Sequence, residues 1–222
     1  FQVFNPDQTL AYRPAEQLTP AVLKQLNRLA KERFFLWVHY LDPHAPYVKH
    51  PGLDFGDEPR DRYDSEIALT DRHLGRLLKW LKDSGREDDT VVVVMSDHGE
   101  EFQEHGGRYH CSSLYDEQMR VPLVIHVPGL KPRRIEPPVA LVDVMPTLLD
   151  LFDVNDDADR DGRSLWPLVF GLMPDWQAYV YSELHPFKTN LIGKQDMVVL
   201  GRHKLITRAS TGTEQVYDLR AD

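Results

Sequence analysis

A single cysteine, Cys111, stands among 222 residues, so no internal disulfide holds this chain and its stability must come from a packed core. One cysteine also leaves the redox compartment open. Long apolar runs are missing: Phe34-Phe35-Leu36-Trp37-Val38, among the longest, falls far short of the ~20 residues that cross a bilayer. The sequence therefore holds no direct membrane span, and it shows no signal peptide, although it begins at Phe1 rather than Met and a separate leader or anchor stays open. Positive charge is scarce as well, with 26 Lys and Arg against 35 Asp and Glu and a net charge of −9. That balance argues against nucleic acid and against an anionic membrane as partners. An anionic substrate would need local positive charge, most simply a metal. Internal repeats and low-complexity segments are absent too.

What is present fits an α/β protein with one sizeable core. The Leu18-Thr19-Pro20 sequence predicts a helix over residues 20–33, entered through an N-cap and a proline. Residues 34–40 read as a buried strand that stops at Asp42-Pro43-His44-Ala45-Pro46, which would present His44 on a loop at the strand's carboxyl end. Between Asp64 and Ser84 the residues Ile67, Leu74, Leu77, Leu78 and Leu81 share one helical face, with Gly85 as the stop. A strand over Thr90 to Ser96 follows, completing a strand, helix, strand unit of the parallel crossover type. Strand 121–127, a helix over 142–152 and an acidic loop come next, and beyond Gly171 short alternating runs with a turn at 201–203 predict a small antiparallel appendix.

The chemistry concentrates where Val91-Val92-Val93-Val94-Met95-Ser96 runs out into Asp97-His98-Gly99. Open α/β sheets bind ligands at the carboxyl ends of their strands, and a carboxylate beside an imidazole makes a pair of metal ligands. The bland alternative for Asp97 is a turn residue or a helix N-cap. Glu100, Glu101, Glu104, His105 and His110 follow, either as a functional cluster or as a solvated acidic loop. Arg120 can reach an anion or salt-bridge Asp116 or Glu117. Glu183 and His185 stand near the end of the strand at Tyr179 and would border a substrate cleft.

Several segments, in order, resemble successive motifs of the sulfatases, within the alkaline phosphatase-like superfamily. They are FFLWVHYLDPHAPY (34–47), SDHGEEFQEH (96–105), SLYDEQMRVPLVI (113–125), DVMPTLLDL (143–151) and GRSLWPL (162–168), with Val216-Tyr217-Asp218-Leu219 similar to the family's closing strand. The resemblance implies a three-layer α/β/α core, incomplete here, over 1–172 and a small β-rich subdomain over 173–222. It implies that Asp97 and His98 bind one divalent cation, calcium first, with manganese, magnesium or zinc as alternatives. His44 would contact the transferred sulfate or phosphate and help protonate the leaving oxygen. His110, thirteen residues after Asp97, falls where many relatives carry a lysine that binds the same anion. Weaker substrate contacts are assigned to His105, Arg120 and His185.

One part of the family pattern has no counterpart. Sulfatases attack with a formylglycine made from the Cys or Ser of a Cys/Ser-x-Pro-x-Arg motif, and Cys111 is followed by Ser112-Ser113-Leu114 instead. Metal-binding Asp residues of the family's first strand are not matched either. The expectation is a carboxyl-terminal part of a sulfatase-like hydrolase whose nucleophile and remaining ligands come from a missing N-terminal segment, inactive on its own. Sister readings are a phosphoester or phosphonate hydrolase, or a phosphoglycerol or phosphoethanolamine transferase. From another class comes a binding module that has lost catalysis. The resemblance also implies an extracytoplasmic location, periplasmic, secreted or membrane-tethered.

Overall fold

The protein is described by a computed structural model covering residues 13–155, 157–173, 176, 179–186 and 193–221. The lead-in before residue 13 and residues 187–192 lie outside the described residues. Two compact units are present, Phe1–Val93 with Val124–Leu130 and Val94–Leu123 with Lys131–Asp222.

In the first unit, helices α1 (Ala15–Leu29) and α2 (Pro59–Asp83) bury Val22, Leu26 and Leu69. Helix α1 begins five residues ahead of the expected start at Pro20, because its end is capped from a distance: the Ala15 N–H donates to Asp42 Oδ2 at 2.9 Å. Pro20 lies inside the helix as its sixth residue, so the ladder bond that its N–H would have given the Glu16 carbonyl is missing. At the other end the Arg86 guanidinium donates to the carbonyls of Ala30 (2.7 Å) and Glu32 (3.2 Å), so the helix stops before residue 33. Helix α2 starts at Pro59, with the Glu58 N–H donating to Asp61 Oδ2, and ends ahead of Gly85 at φ +68°.

Residues 34–40 depart from the expectation. Their exposure alternates with period two, as in a strand, yet they lie in no ladder. Extended backbone becomes a strand through hydrogen bonds to a neighbour, and no segment among the described residues supplies one. Phe35 and Trp37 are each 73% exposed as a result. The expected crossover thus lacks its first strand among the described residues. Strand β1 (Val92–Met95) does form, and it pairs with β4 (Leu123–His126).

In the second unit, β2 (Glu101–Phe102) and β3 (Arg108–Tyr109) make a miniature antiparallel hairpin, followed by the single turn α3 (Asp116–Met119). Helices α4 (Val144–Leu151) and α5 (Trp166–Val169) are tied together through Asp143, whose carboxylate accepts the N–H groups of Ala140 and Arg163, each at 3.0 Å. The expected antiparallel appendix is a four-stranded sheet in sequential order: β5 (Tyr179–Leu184), β6 (Gln195–Leu200), β7 (His203–Arg208) and β8 (Thr213–Asp218). One face of it carries Met197, Val199 and Ile206, which pack with Leu114 and Tyr115 into the unit's core. The sheet and the segment leading into α3 therefore share one core.

Candidate active site

Strand β1 delivers Asp97 and His98 to the surface of the second unit. Their carboxylate and ring are partly exposed, at 67% and 40%. Two local bonds fix the pair: the His98 N–H donates to Asp97 Oδ1 at 3.0 Å, and the Ser96 hydroxyl donates to the His98 carbonyl at 2.7 Å. The His98 ring is fixed as well, because its Nδ1–H donates to the Gly99 carbonyl at 2.9 Å. A carbonyl only accepts, so the proton sits on Nδ1 in the neutral ring and the lone pair on Nε2, the tautomer a metal ligand needs.

His110 arrives from the far side of the β2–β3 hairpin. Its ring stacks on His98 with centroids 4.2 Å apart and planes 25° from parallel. Its Nδ1–H donates to Glu100 Oε1 at 3.1 Å, and that carboxylate is itself 4% exposed. The neighbours on both sides of His110 are strained, with Tyr109 at φ +69° and Cys111 at φ +59°. Non-glycine residues held there cost roughly 1–3 kcal/mol each, and such cost gathers where a side chain must be aimed. Sequence reasoning noted Glu100 without giving it a task; its position after the Asp-His-Gly run, on the edge of the smallest hairpin, was the available signal.

The other candidates sort by contact. His105 lies flat on Tyr115, centroids 3.7 Å apart, with Nε2 3.4 Å from Glu117 Oε2. Tyr115 is in turn held by the sheet: its hydroxyl donates to Gln215 Oε1 and accepts from Arg208 Nη2, both at 3.0 Å. The expected alternative for Arg120 is not the pairing found, since Asp116 is taken by Lys204 at 2.5 Å and Glu117 faces His105. His185 faces Glu183 at 3.3 Å in a surface cluster with Tyr181, Lys194 and Asp196. Hydrogen bonds from Tyr181, Lys194 and His185 hold the Glu183 carboxyl down to about 2. His44 belongs to the first unit, where its Nδ1–H donates to the Ala45 carbonyl at 2.7 Å and its N–H to the Leu41 carbonyl at 3.0 Å. Asp42, two residues before it, anchors that loop to both helices, through the Ala15 N–H and through its own carbonyl, which accepts from Thr70 Oγ1.

The donor set at Asp97 and His98 fits a divalent cation. Their nearest donor atoms, Asp97 Oδ2 and His98 Nε2, are 3.8 Å apart. With bonds of about 2.0–2.5 Å, two ligands of one cation lie about 3–4 Å apart, a range that includes this spacing. Among the described residues no group of three or more His, Cys, Asp or Glu is placed to hold a metal. Two ligands bind a hard cation weakly, and a complete shell needs more oxygens.

The chain has the alkaline phosphatase-like fold, as its likeness to solved structures of that fold shows. A solved phosphonate monoester hydrolase from Silicibacter pomeroyi superposes with a TM-score of 0.73 at 26% identity, over 95% of this chain and 55% of that one. A protein solved with its substrate D-glucosamine-2-N,6-O-disulfate superposes with a TM-score of 0.60 at 25% identity, over 76% of this chain and 37% of that one. The sulfatase family profile matches residues 2–154, and the profile described as N-sulphoglucosamine sulphohydrolase, C-terminal, matches residues 103–222. The chain belongs to the sulfatase family. Among its relatives, arylsulfatase K of Danio rerio is 33% identical over 69% of this chain, and arylsulfatase K of Gallus gallus 30% identical over 83%. These alignments take in 31% and 37% of the relatives, so the chain spans about a third of their length.

Proposed function

We propose that this chain is the carboxyl-terminal part of a metal-dependent hydrolase of sulfate esters, with the formylglycine nucleophile and the remaining metal ligands carried by a preceding segment. The observation that carries this reading is the stack of His110 on His98 beside Asp97: a metal pair and a candidate anion donor built as one unit. The family profiles and the arylsulfatase relatives support it.

A sulfate monoester gains charge on its departing oxygen as the ester bond breaks. A bound cation, calcium first with manganese, magnesium or zinc as alternatives, would act there as a Lewis acid on the ester oxygens. Asp97 and His98 would hold that cation. His110, steadied by Glu100, would donate to the anion, and His44 would hand a proton to the leaving oxygen. The substrate is an anionic ester, with a sulfated sugar as the leading class, since one similar structure holds glucosamine disulfate. The location we assign is extracytoplasmic.

A second reading, hydrolysis of phosphonate or phosphate monoesters, is favoured by the likeness to the phosphonate monoester hydrolase. The experiment is to express the full-length protein and assay sulfate esters, both a sulfated glucosamine and an aryl sulfate, beside an aryl phosphonate, before and after chelation and with each cation restored. Sulfate turnover lost on chelation and regained with a cation is the expected result. Phosphonate turnover in its place selects the second reading, and no turnover of either overturns both in favour of a non-catalytic module.

A further inference from the structure

Strand β2 and helix α3 carry a pair of buried polar side chains that the proposed chemistry does not use. Glu101 is 1% exposed and Gln118 is 3% exposed. The Glu101 carboxylate accepts four hydrogen bonds, all from neutral donors: the N–H groups of Gly107 (2.9 Å) and His105 (3.3 Å), the Ser113 hydroxyl (3.0 Å) and Gln118 Nε2 (2.8 Å). Burial pushes its proton affinity up, but the donors from Gln118, Ser113, Gly107 and His105 outweigh that, and the carboxyl lies below its ordinary 4.5.

Gln118 completes the arrangement. Its Oε1 accepts the N–H groups of Ser112 (3.2 Å) and Ser113 (3.4 Å), its Nε2 faces the hydroxyls of Ser112 and Ser113, and its carbonyl accepts the Gly99 N–H at 2.8 Å. The two side chains thus grip the chain just after His110, at Ser112 and Ser113, while the backbone carbonyl of Gln118 holds Gly99, next to His98. They grip the hairpin turn between, at His105 and Gly107. Even the turn is shaped to them, since a Cβ on Gly107 would lie 2.8 Å from Glu101 Oε1.

We propose that Glu101 and Gln118 are positioning residues, which hold His98 and His110 in their stacked pose so that the metal-side and anion-side groups of the site move as one body. The inference rests on the hydrolase reading for its consequence in rate, while the geometry it explains stands apart from that reading. The polarity of the lock is its signature. Three of the four groups around Glu101 are N–H donors that cannot accept, so in the isosteric E101Q the new –NH2 faces at least one of them and breaks the lock without changing its volume. The exchange E101Q/Q118E restores one amide and one carboxylate with their places swapped: the amide at position 101 donates to the carboxylate at position 118, and the Ser112 and Ser113 hydroxyls rotate to donate as well.

The test uses the full-length protein with folding checked by circular dichroism and thermal midpoint. We expect folded E101Q to lose ~100-fold in kcat, the scale of a misplacement near 1 Å. The backbone amides the pair holds, His105 and Gly107 on one side and Ser112 and Ser113 on the other, should exchange hydrogen at least ~10-fold faster on whichever side the new –NH2 faces, with α1 and α2 unaffected. The double exchange should recover kcat to within ~3-fold of wild type, a coupling that a residue needed for bulk alone would not show. Folded E101Q with wild-type kcat and exchange overturns the proposal, as does a double exchange no better than the single. If the wild type hydrolyses neither ester, the functional reading falls and the exchange experiment still decides the lock: unprotected amides in E101Q, protected again in the double exchange, sustain it, and unchanged amides refute it.

Discussion

Replacing Gly99 by alanine adds one carbon at the most crowded point of the site. A Cβ there would stand 2.1 Å from the Glu117 carbonyl oxygen and 3.1 Å from its carbon, both backbone atoms that no side-chain rotation can clear. A relaxed carbon–oxygen contact is about 3.3 Å, so the Asp97-His98-Gly99 turn must retreat from the 117–118 backbone by about 1.2 Å. That retreat breaks the 2.8 Å bond from the Gly99 N–H to the Gln118 carbonyl, worth about 1 kcal/mol net. Added to the strain of overpacking, the loss comes to roughly 2–4 kcal/mol, read as a lowered thermal midpoint. A displacement near 1 Å in a catalytic group costs on the order of 100-fold in rate. The assay is sulfate ester turnover by the full-length Gly99→Ala variant beside its melting curve, at a temperature where it stays folded. A variant with both wild-type midpoint and wild-type kcat would refute the reasoning, since the close approach would then carry no consequence.

Other expectations concern stability and pH. His73 is buried in the first unit, where burial first and the Arg76 guanidinium second hold its proton affinity below the ordinary 6.5, against the opposing pull of Glu16 and Asp42. The unfolded chain therefore takes up a proton near pH 6.5 before the folded one does, and stability falls as pH drops below that point. In His73→Gln the difference in urea midpoint between pH 7.5 and pH 5.5 should shrink; an unchanged difference would remove His73 from the account. Ile206→Ala opens the core beneath Tyr115 and should cost about 2–4 kcal/mol in chemical denaturation, against about 1 kcal/mol for Ile206→Val. Asp143→Asn sets an amide against one of two backbone N–H donors and should cost about 1–3 kcal/mol, visible as accelerated hydrogen exchange at Ala140 or Arg163.

How far the sequence carries depends on whether a signal is local. The valine run of β1 and the alternating strands after residue 178 were legible because β-branched runs and period-two burial are written in neighbouring residues. The start of α1 was not, since its cap, Asp42, lies 27 positions away. Residues 34–40 show the opposite failure: the pattern is right and the ladder is absent, because a pattern specifies a face and not a partner. The site divides the same way. Asp97 and His98 stand out by their place at a strand end, whereas Glu100, Glu101, Tyr115 and Gln118 act through contacts that only folding creates.

The ties between the carboxyl-terminal sheet and the α3 segment set a rule for recombination among relatives. Lys204 reaches Asp116, Arg208 and Gln215 hold the Tyr115 hydroxyl, and Ile206 shares a core with Leu114. A graft that exchanges the sheet without residues 114–118 would part each of these couples at once, and the ring beneath His105 would lose its tether. Such a chimera should inherit a misaligned histidine loop from a splice made far along the sequence. The natural unit of exchange in this part of the chain is therefore a discontinuous one.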